Sequence, residues 1–414
     1  MLTSSAVKAH ARELGFDLCG IAPATGMPEL TRIHDWIGRG HAGEMRYLER
    51  SAEVRADVTK FLPGARSVVM TATNYFTGPD PQPAPSASVA RYARGQDYHL
   101  VLAERLEALA AWMHASTEQP FDAAVFVDKH WVQERVVAAY AGLGWIGKHS
   151  LLINPDLGSW VLLSGIATTL PLAPDELVAD QCGACTLCMD ACPTGAIVSE
   201  REVDARTCIS YLTIEKAGVL TDVEKAAVAG HVFGCDVCQE VCPWNLAPAV
   251  SLDPSWQPRG TREAPDPAVL WQRPDDRLHD FVTGSALTHA SMAQLRRNLA
   301  LAIGAVGDPA SGAVLTAPGG GVKNAAFSAD AAAVQDAVRW ANETAGGRGD
   351  PADLRPRPVD YTPRVAETGV GVTDASSASA LPSDTRSPRW HRVAARCGSD
   401  QTPHPAPSSA WSWS

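Results

Sequence analysis

The sequence predicts an α/β (α+β) protein: an N-terminal α/β domain, a cysteine-rich domain, and a short helical segment ahead of a low-complexity tail. Three observations predict it. Short β-rich runs alternate with helical periodicity through the first 180 residues. Eight of the ten cysteines fall between 182 and 242. Beyond residue 346 the chain turns rich in Pro, Ser, Thr and Arg and loses its periodicity.

Helical periodicity runs through 3–14, and β-rich runs occupy 17–22 (DLCGIA) and 66–73 (RSVVMTAT). The Pro- and Ser-rich stretch 78–88 reads as an exposed loop. A second helical pattern covers 97–116, with Asp97 suited to cap its start. Tyr98 and His99 follow at once, placed either to touch a ligand or simply to pack. The run 123–127 (AAVFV) ends on Asp128, ahead of a helical WVQERVVAAYAG pattern. Asp128 is therefore either a helix N-cap or a carboxyl group at a strand end, where α/β proteins place chemistry. Gly142, Gly144 and Gly147 read as a helix stop and turn, or as a backbone turn beside a large ligand. A strand at 160–168 (WVLLSGIAT) completes the first domain, 1–180, which carries no GxGxxG or GxxxxGK[ST] fingerprint. Residues 181–250 form the cysteine-rich domain. Residues 251–345 carry helical patterns at 286–306 and 328–344, and 346–414 is expected to be mostly disordered.

With 45% hydrophobic and 20% charged residues in 414, most of the chain is expected to be globular. No apolar run approaches 18 residues, which excludes a transmembrane helix. Lys8, Arg12 and Glu13 interrupt the stretch where a signal peptide needs apolar residues, so a cytoplasmic, reducing location is expected. A net charge of -11 argues against non-specific coating of nucleic acid, though not against a local basic patch.

In that setting the cysteines read as metal ligands rather than disulfides. Cys182-x2-Cys185-x2-Cys188-x3-Cys192-Pro193 matches the bacterial ferredoxin run, whose fourth cysteine serves the other cluster. Zinc motifs rarely carry four thiols at this spacing followed by Pro. Cys235-x2-Cys238-x3-Cys242-Pro243 is a second half without its middle cysteine, and Cys208 is the nearby thiol that fills the gap. Two clusters of four ligands then use all eight thiols. Cys182, Cys185, Cys188 and Cys242 hold one, and Cys192, Cys208, Cys235 and Cys238 hold the other. Cys19 and Cys397 remain as ordinary residues. Two adjoining clusters form an electron wire, so a redox centre is expected in the sequence before Cys182.

RYARGQDYH at 91–99, VFVD at 125–128, AGLGWIGKHSLL at 141–152, the cysteine run, CISYLTIE at 208–215 and FGCDVCQEVCPWN at 233–245 follow in order. Over roughly residues 1–305 this pattern resembles the epoxyqueuosine reductase family. The resemblance implies a cobalamin-binding α/β domain followed by a ferredoxin-like domain with two 4Fe–4S clusters. It implies reduction of epoxyqueuosine to queuosine at the wobble position of tRNA, the last step of queuosine biosynthesis. It makes Asp128 the proton donor, and Arg55, Asp128, Leu152 and Ser210 cobalamin-binding residues. Lys216 falls where the family contacts tRNA, and Arg135 and Lys148 fall in matching segments. Opening the epoxide to an alkene consumes two electrons and two protons and releases water. A partly buried Asp128 is expected to have a raised pKa and to stay protonated near neutral pH. A flavodoxin or small ferredoxin fits as donor, and a monomer is expected.

The chain departs from the family at Lys129, His130 and Trp131, where many members read TGP or SAP after the aspartate. Longer members end in HEAT-like repeats that help hold tRNA, whereas 286–345 offers only a few helices. Arg296 and Arg297 read as phosphate contacts or as a solvated helix face. Two other readings stay open: a reductive dehalogenase acting on a small substrate, and an electron-transfer module with clusters but no corrinoid.

Overall fold

The computed structural model describes residues 2–80, 87–306, 313–315 and 329–345. The expected disorder of 346–414 and the centre of the 78–88 loop lie outside the described residues. Strands β1 (Leu18–Pro23), β2 (Ser67–Asn74), β3 (Ala123–Phe126) and β4 (Val161–Thr168) form one sheet in the order β1-β2-β4-β3. Every neighbouring pair is antiparallel, which places the domain in the α+β half of the expected class.

β2 is buried at all eight positions because both faces of the sheet are covered. Thr71 and Ser164 can be polar there because their hydroxyls bond each other at 2.7 Å. Helices α1 (Ser4–Glu13) and α2 (Tyr98–Ala115) pack Val7, Ala11, Leu102, Leu106 and Leu109 on one face. Helix α3 (Glu134–Tyr140) covers the other with Val137 and Ala138. Asp97 caps α2 as expected, accepting from the backbone N–H of His99.

α3 is shorter than its pattern suggests. It begins at Glu134, with Gln133 at the N-cap, so Asp128 is not the cap. Tertiary bonds override the periodicity here, because Gln133 donates to the carbonyls of Leu30 and Arg55. At its other end Leu143 N–H bonds Ala138 O and Gly142 N–H bonds Ala139 O, a Schellman stop. Gly142 has φ +70° there. A Cβ on Gly144 would lie 2.1 Å from Ile153 O, so that glycine permits close approach of two backbones. These glycines therefore serve as a helix stop and a turn.

The cysteine-rich region is held by short elements. Single-turn helices Leu187–Asp190 and Val237–Glu240 each carry one cysteine of the two runs. His231–Phe233 pairs in parallel with Ser88–Val89 of the N-terminal part. Helices α4 (Ile209–Ile214), α5 (Met292–Val306) and α6 (Ala329–Ala345) extend one core that joins Val7, Leu212, Phe233, Leu299 and Trp340. No helix among the described residues is long and apolar enough to cross a membrane.

Arg296 and Arg297 correct the reading from sequence. They are 3% and 1% exposed, so neither faces solvent or phosphate. Arg296 donates to the carbonyls of Trp271 and Arg273 and to Asp275. Arg297 donates to the carbonyls of Leu212, Lys216 and Gly218, stapling α5 to the segment after α4. Arg297→Ala leaves those carbonyls without a donor and should destabilise the fold by about 3 kcal/mol. Urea denaturation of the two proteins measures the difference.

Candidate active site and cysteine cavities

Asp128 sits just past β3 with φ +43°, a left-handed conformation that is uncommon outside glycine. Three partners hold it. Tyr98 donates its hydroxyl to Asp128 Oδ2 at 2.7 Å, and His99 Nε2 lies 3.1 Å from the same oxygen. The backbone N–H of Asp128 donates to Glu134 Oε1 at 2.6 Å. His99 Nδ1 lies 2.7 Å from Asp97 Oδ1, so the imidazole bridges two carboxylates. His289, from the C-terminal region, stacks on His99 with ring centroids 4.6 Å apart.

The electrostatics correct one expectation. Burial pushes the Asp128 carboxyl up, but the bonds from His99 and Tyr98 outweigh it and hold the pKa at about 2. Asp128 is ionised near neutral pH. Burial opposes charging His99, yet its two flanking carboxylates lift its pKa above the ordinary value. The standing protonated carboxyl is Glu134, which burial and then the Asp128 charge push up to about 8.

The Asp128 side chain is 51% exposed although protein desolvates it strongly. Both hold for a group enclosed by protein on one side and open to space on the other. Tyr47, Arg55, Tyr92 and Glu215 feel its charge from around the same space. Polar groups gathered around a half-exposed carboxylate suit a cofactor with polar side arms. Of the residues expected near cobalamin, Arg55 faces this space and is held by Ser51 Oγ at 2.9 Å. Ser210 lies at the start of α4, where its backbone and hydroxyl partly offset the rise that burial gives the Cys208 pKa. The Leu152 side chain is 2% exposed and packs in the core beneath α3, leaving only its backbone for a ligand. Arg135 donates to Ser150 O at 2.7 Å. Lys148 is buried and paired with Glu200 at 2.7 Å. Lys216 is paired with Glu224 at 2.7 Å. Lys129 and Trp131 stand exposed beside Asp128 on the loop into α3.

Glu134 and His289 were not singled out in sequence. Glu134 reads as an ordinary first-turn acid, favoured by the helix dipole. His289 lies 161 residues from Asp128, with no local pattern to mark it.

The thiols fall into two sets. Cys182, Cys185, Cys188 and Cys242 line one small cavity of about 20 Å³, together with Lys148, His149 and Trp244. Cys192, Cys208, Cys235 and Cys238 form the second, as their mutual charge interactions show. Cys238 also feels Cys188, so the two sets adjoin. Four convergent sulfurs per set suit a cubane cluster. The segment 91–99 ties the second set to the acid. Arg91 N–H bonds Asp236, between Cys235 and Cys238, at 2.8 Å, while Tyr98 and His99 hold Asp128.

Fold and site together define an iron–sulfur oxidoreductase. Residues 181–245 match the family described as "4Fe-4S double cluster binding domain", and residues 55–129 match "Epoxyqueuosine reductase QueG, DUF1730". The epoxyqueuosine reductase of Gloeobacter violaceus is 40% identical over 314 residues, 74% of this chain and 97% of its own length. That of Escherichia coli is 35% identical over 307 residues, 72% of this chain and 80% of its own. The chain belongs to the epoxyqueuosine reductase family. A solved epoxyqueuosine reductase with an epoxyqueuosine-modified tRNA-Tyr stem loop superimposes with a TM-score of 0.74 at 27% identity, covering 83% of this chain and 90% of its own. The Bacillus subtilis enzyme, solved with its catalytic aspartate loop swung out of the active site, gives 0.72 at 27% identity, covering 84% and 91%.

Proposed function

We propose that this chain reduces epoxyqueuosine in tRNA to queuosine, using cobalamin and electrons supplied by two 4Fe–4S clusters. The observation that carries the reading is segment 91–99, which bonds both Asp236, between Cys235 and Cys238 of the second set, and the Asp128 carboxylate. Acid and electron supply thereby share one rigid piece of backbone. Cys182, Cys185, Cys188 and Cys242 hold one cluster, and Cys192, Cys208, Cys235 and Cys238 the other. Arg55, Ser210 and the backbone at Leu152 border the cobalamin, which when bound supplies a cobalt centre able to take electrons singly and engage the substrate carbon.

The protein's own task is the proton. The epoxide oxygen leaves as water, and each of its two new O–H bonds needs a proton. Asp128 is ionised, so it passes a proton on rather than storing one. His99 supplies it through the 3.1 Å contact and is recharged through Asp97. Glu134 keeps a proton beside the Asp128 backbone up to about pH 8. For tRNA, Lys216 exchanges its Glu224 partner for a phosphate on a surface that is otherwise acidic overall. A flavodoxin or small ferredoxin feeds the clusters, and the enzyme works as a monomer in the cytoplasm.

The test is turnover. Anaerobically reconstituted protein with cobalamin, a low-potential reductant and tRNA carrying epoxyqueuosine should yield queuosine in digested nucleosides, read by mass spectrometry. No queuosine from protein shown to hold cobalamin and both clusters would overturn the assignment. Lys129 and Trp131 would then be the first residues to exchange in a search for another substrate.

A further inference from the structure

We propose that His149 donates a hydrogen bond from Nε2–H to a sulfur of the cluster held by Cys182, Cys185, Cys188 and Cys242, and thereby raises that cluster's reduction potential. This rests on the two-cluster reading above. The His149 side chain is 3% exposed and lines the same cavity as the four thiols. Its Nδ1 accepts the backbone N–H of Leu151 at 3.1 Å, so that nitrogen carries no proton. The ring is therefore neutral, with its one proton on Nε2. Among the described residues that Nε2 has no hydrogen-bond partner. A buried N–H without an acceptor is costly, and native folds seldom leave one unmet.

The chemistry of the cavity supplies the acceptor. Its other side chains with polar atoms, besides the thiols, are Lys148 and Trp244, both donors, and Gln181. Lys148 is already paired with Glu200. The sulfurs are the acceptors that a bound cluster places there in number. Neighbouring groups already act this way. The Lys148 backbone N–H lies close enough to the Cys182 sulfur to favour its thiolate. Trp145 Nε1 has no N or O partner of its own and lies close enough to Cys182 to favour its thiolate. The turn 145–149 thus faces the cluster as a row of N–H donors.

Reduction adds negative charge to the cluster, and an N–H donor stabilises the more negative state, which raises the potential. Ser150, next in the chain, accepts from Arg135, whose neighbour Glu134 bonds the Asp128 backbone. His149 is therefore a positioning residue for electron flow, not a catalytic one.

The experiment compares full-length wild type, His149→Leu and His149→Gln after anaerobic reconstitution, with iron and sulfide counted in each. Leu removes the donor, whereas the Gln amide can present an N–H near the place of Nε2. A redox titration followed by EPR should show one cluster about tenfold harder to reduce in His149→Leu, about 59 mV for a one-electron couple. His149→Gln should recover most of that shift. Unchanged potentials for both clusters in an iron-replete His149→Leu protein would overturn the proposal. If that variant loses iron, wild type with ¹⁵N-labelled histidine decides. A ¹⁵N coupling and a deuterium-exchangeable proton coupling to the reduced cluster are expected, and their absence would overturn the proposal. Wild-type protein that binds no iron would instead overturn the cluster reading itself.

Discussion

Asp128→Asn should lower queuosine formation by about 10²–10⁴-fold while both clusters and the fold survive. Asn keeps the shape of the side chain and can still meet Tyr98, but it cannot accept and pass on a proton. It also removes one of the two carboxylates that lift the His99 pKa, so that pKa should fall. Activity in wild type should fall as pH rises through about 8. There Glu134 loses the proton that burial and the Asp128 charge keep on it, and a second negative charge appears beside Asp128. The sign follows from the raised pKa: the protonated form persists below about 8 and is lost above it. Tyr98, His99, Asp128 and Glu134 titrate as a coupled set, so the profile reports the set rather than one residue. In Asp128→Asn the charge that helps raise Glu134 is gone, so any residual alkaline limb should move to lower pH. Single-turnover rates across pH 6–10, with iron and cobalamin counted, test both parts. Wild-type turnover by Asp128→Asn with its cofactors bound would remove Asp128 from the chemistry.

The way that site is built explains how far it could be read in advance. Asp128 at the end of an apolar run, and Asp97 before a helical pattern, are local features, and both stand where the residues suggested. The ionisation of Asp128 is not local. It depends on Tyr98 and His99 arriving from α2, and on His289 stacking behind them from the C-terminal region. Burial alone argues for a raised pKa, and only the contacts reverse it. The antiparallel sheet was equally out of reach, since alternating strands and helices suit parallel and antiparallel orders alike. Arg297 illustrates a third limit. A guanidinium satisfied by three carbonyls inside the protein has the same sequence signature as one on a solvated helix.

The cysteines are the opposite case, because ligand spacing is written along the chain, and Cys208 gives the sharpest test. Cys208→Ala should cost one cluster and spare the other, as should Cys242→Ala, but the clusters lost should differ. Two 4Fe–4S clusters make eight irons per chain, so each variant should keep about four. Cys208 lies outside both CxxC runs, at the N-cap of α4, with the backbone N–H groups of Ser210 and Tyr211 near its sulfur. Burial raises the Cys208 pKa, and those N–H groups offset part of that rise. Its interaction with Cys192 places it in the second set, whereas Cys242 interacts with Cys182, Cys185 and Cys188. The EPR signal lost in Cys208→Ala should therefore be the one retained in Cys242→Ala. Turnover should vanish in both, because Cys238 and Cys188 bring the sets side by side and a wire broken at either cluster delivers no electrons. Eight irons in Cys208→Ala would mean that another ligand completes the second cluster, and the sorting of the thiols would have to be redrawn.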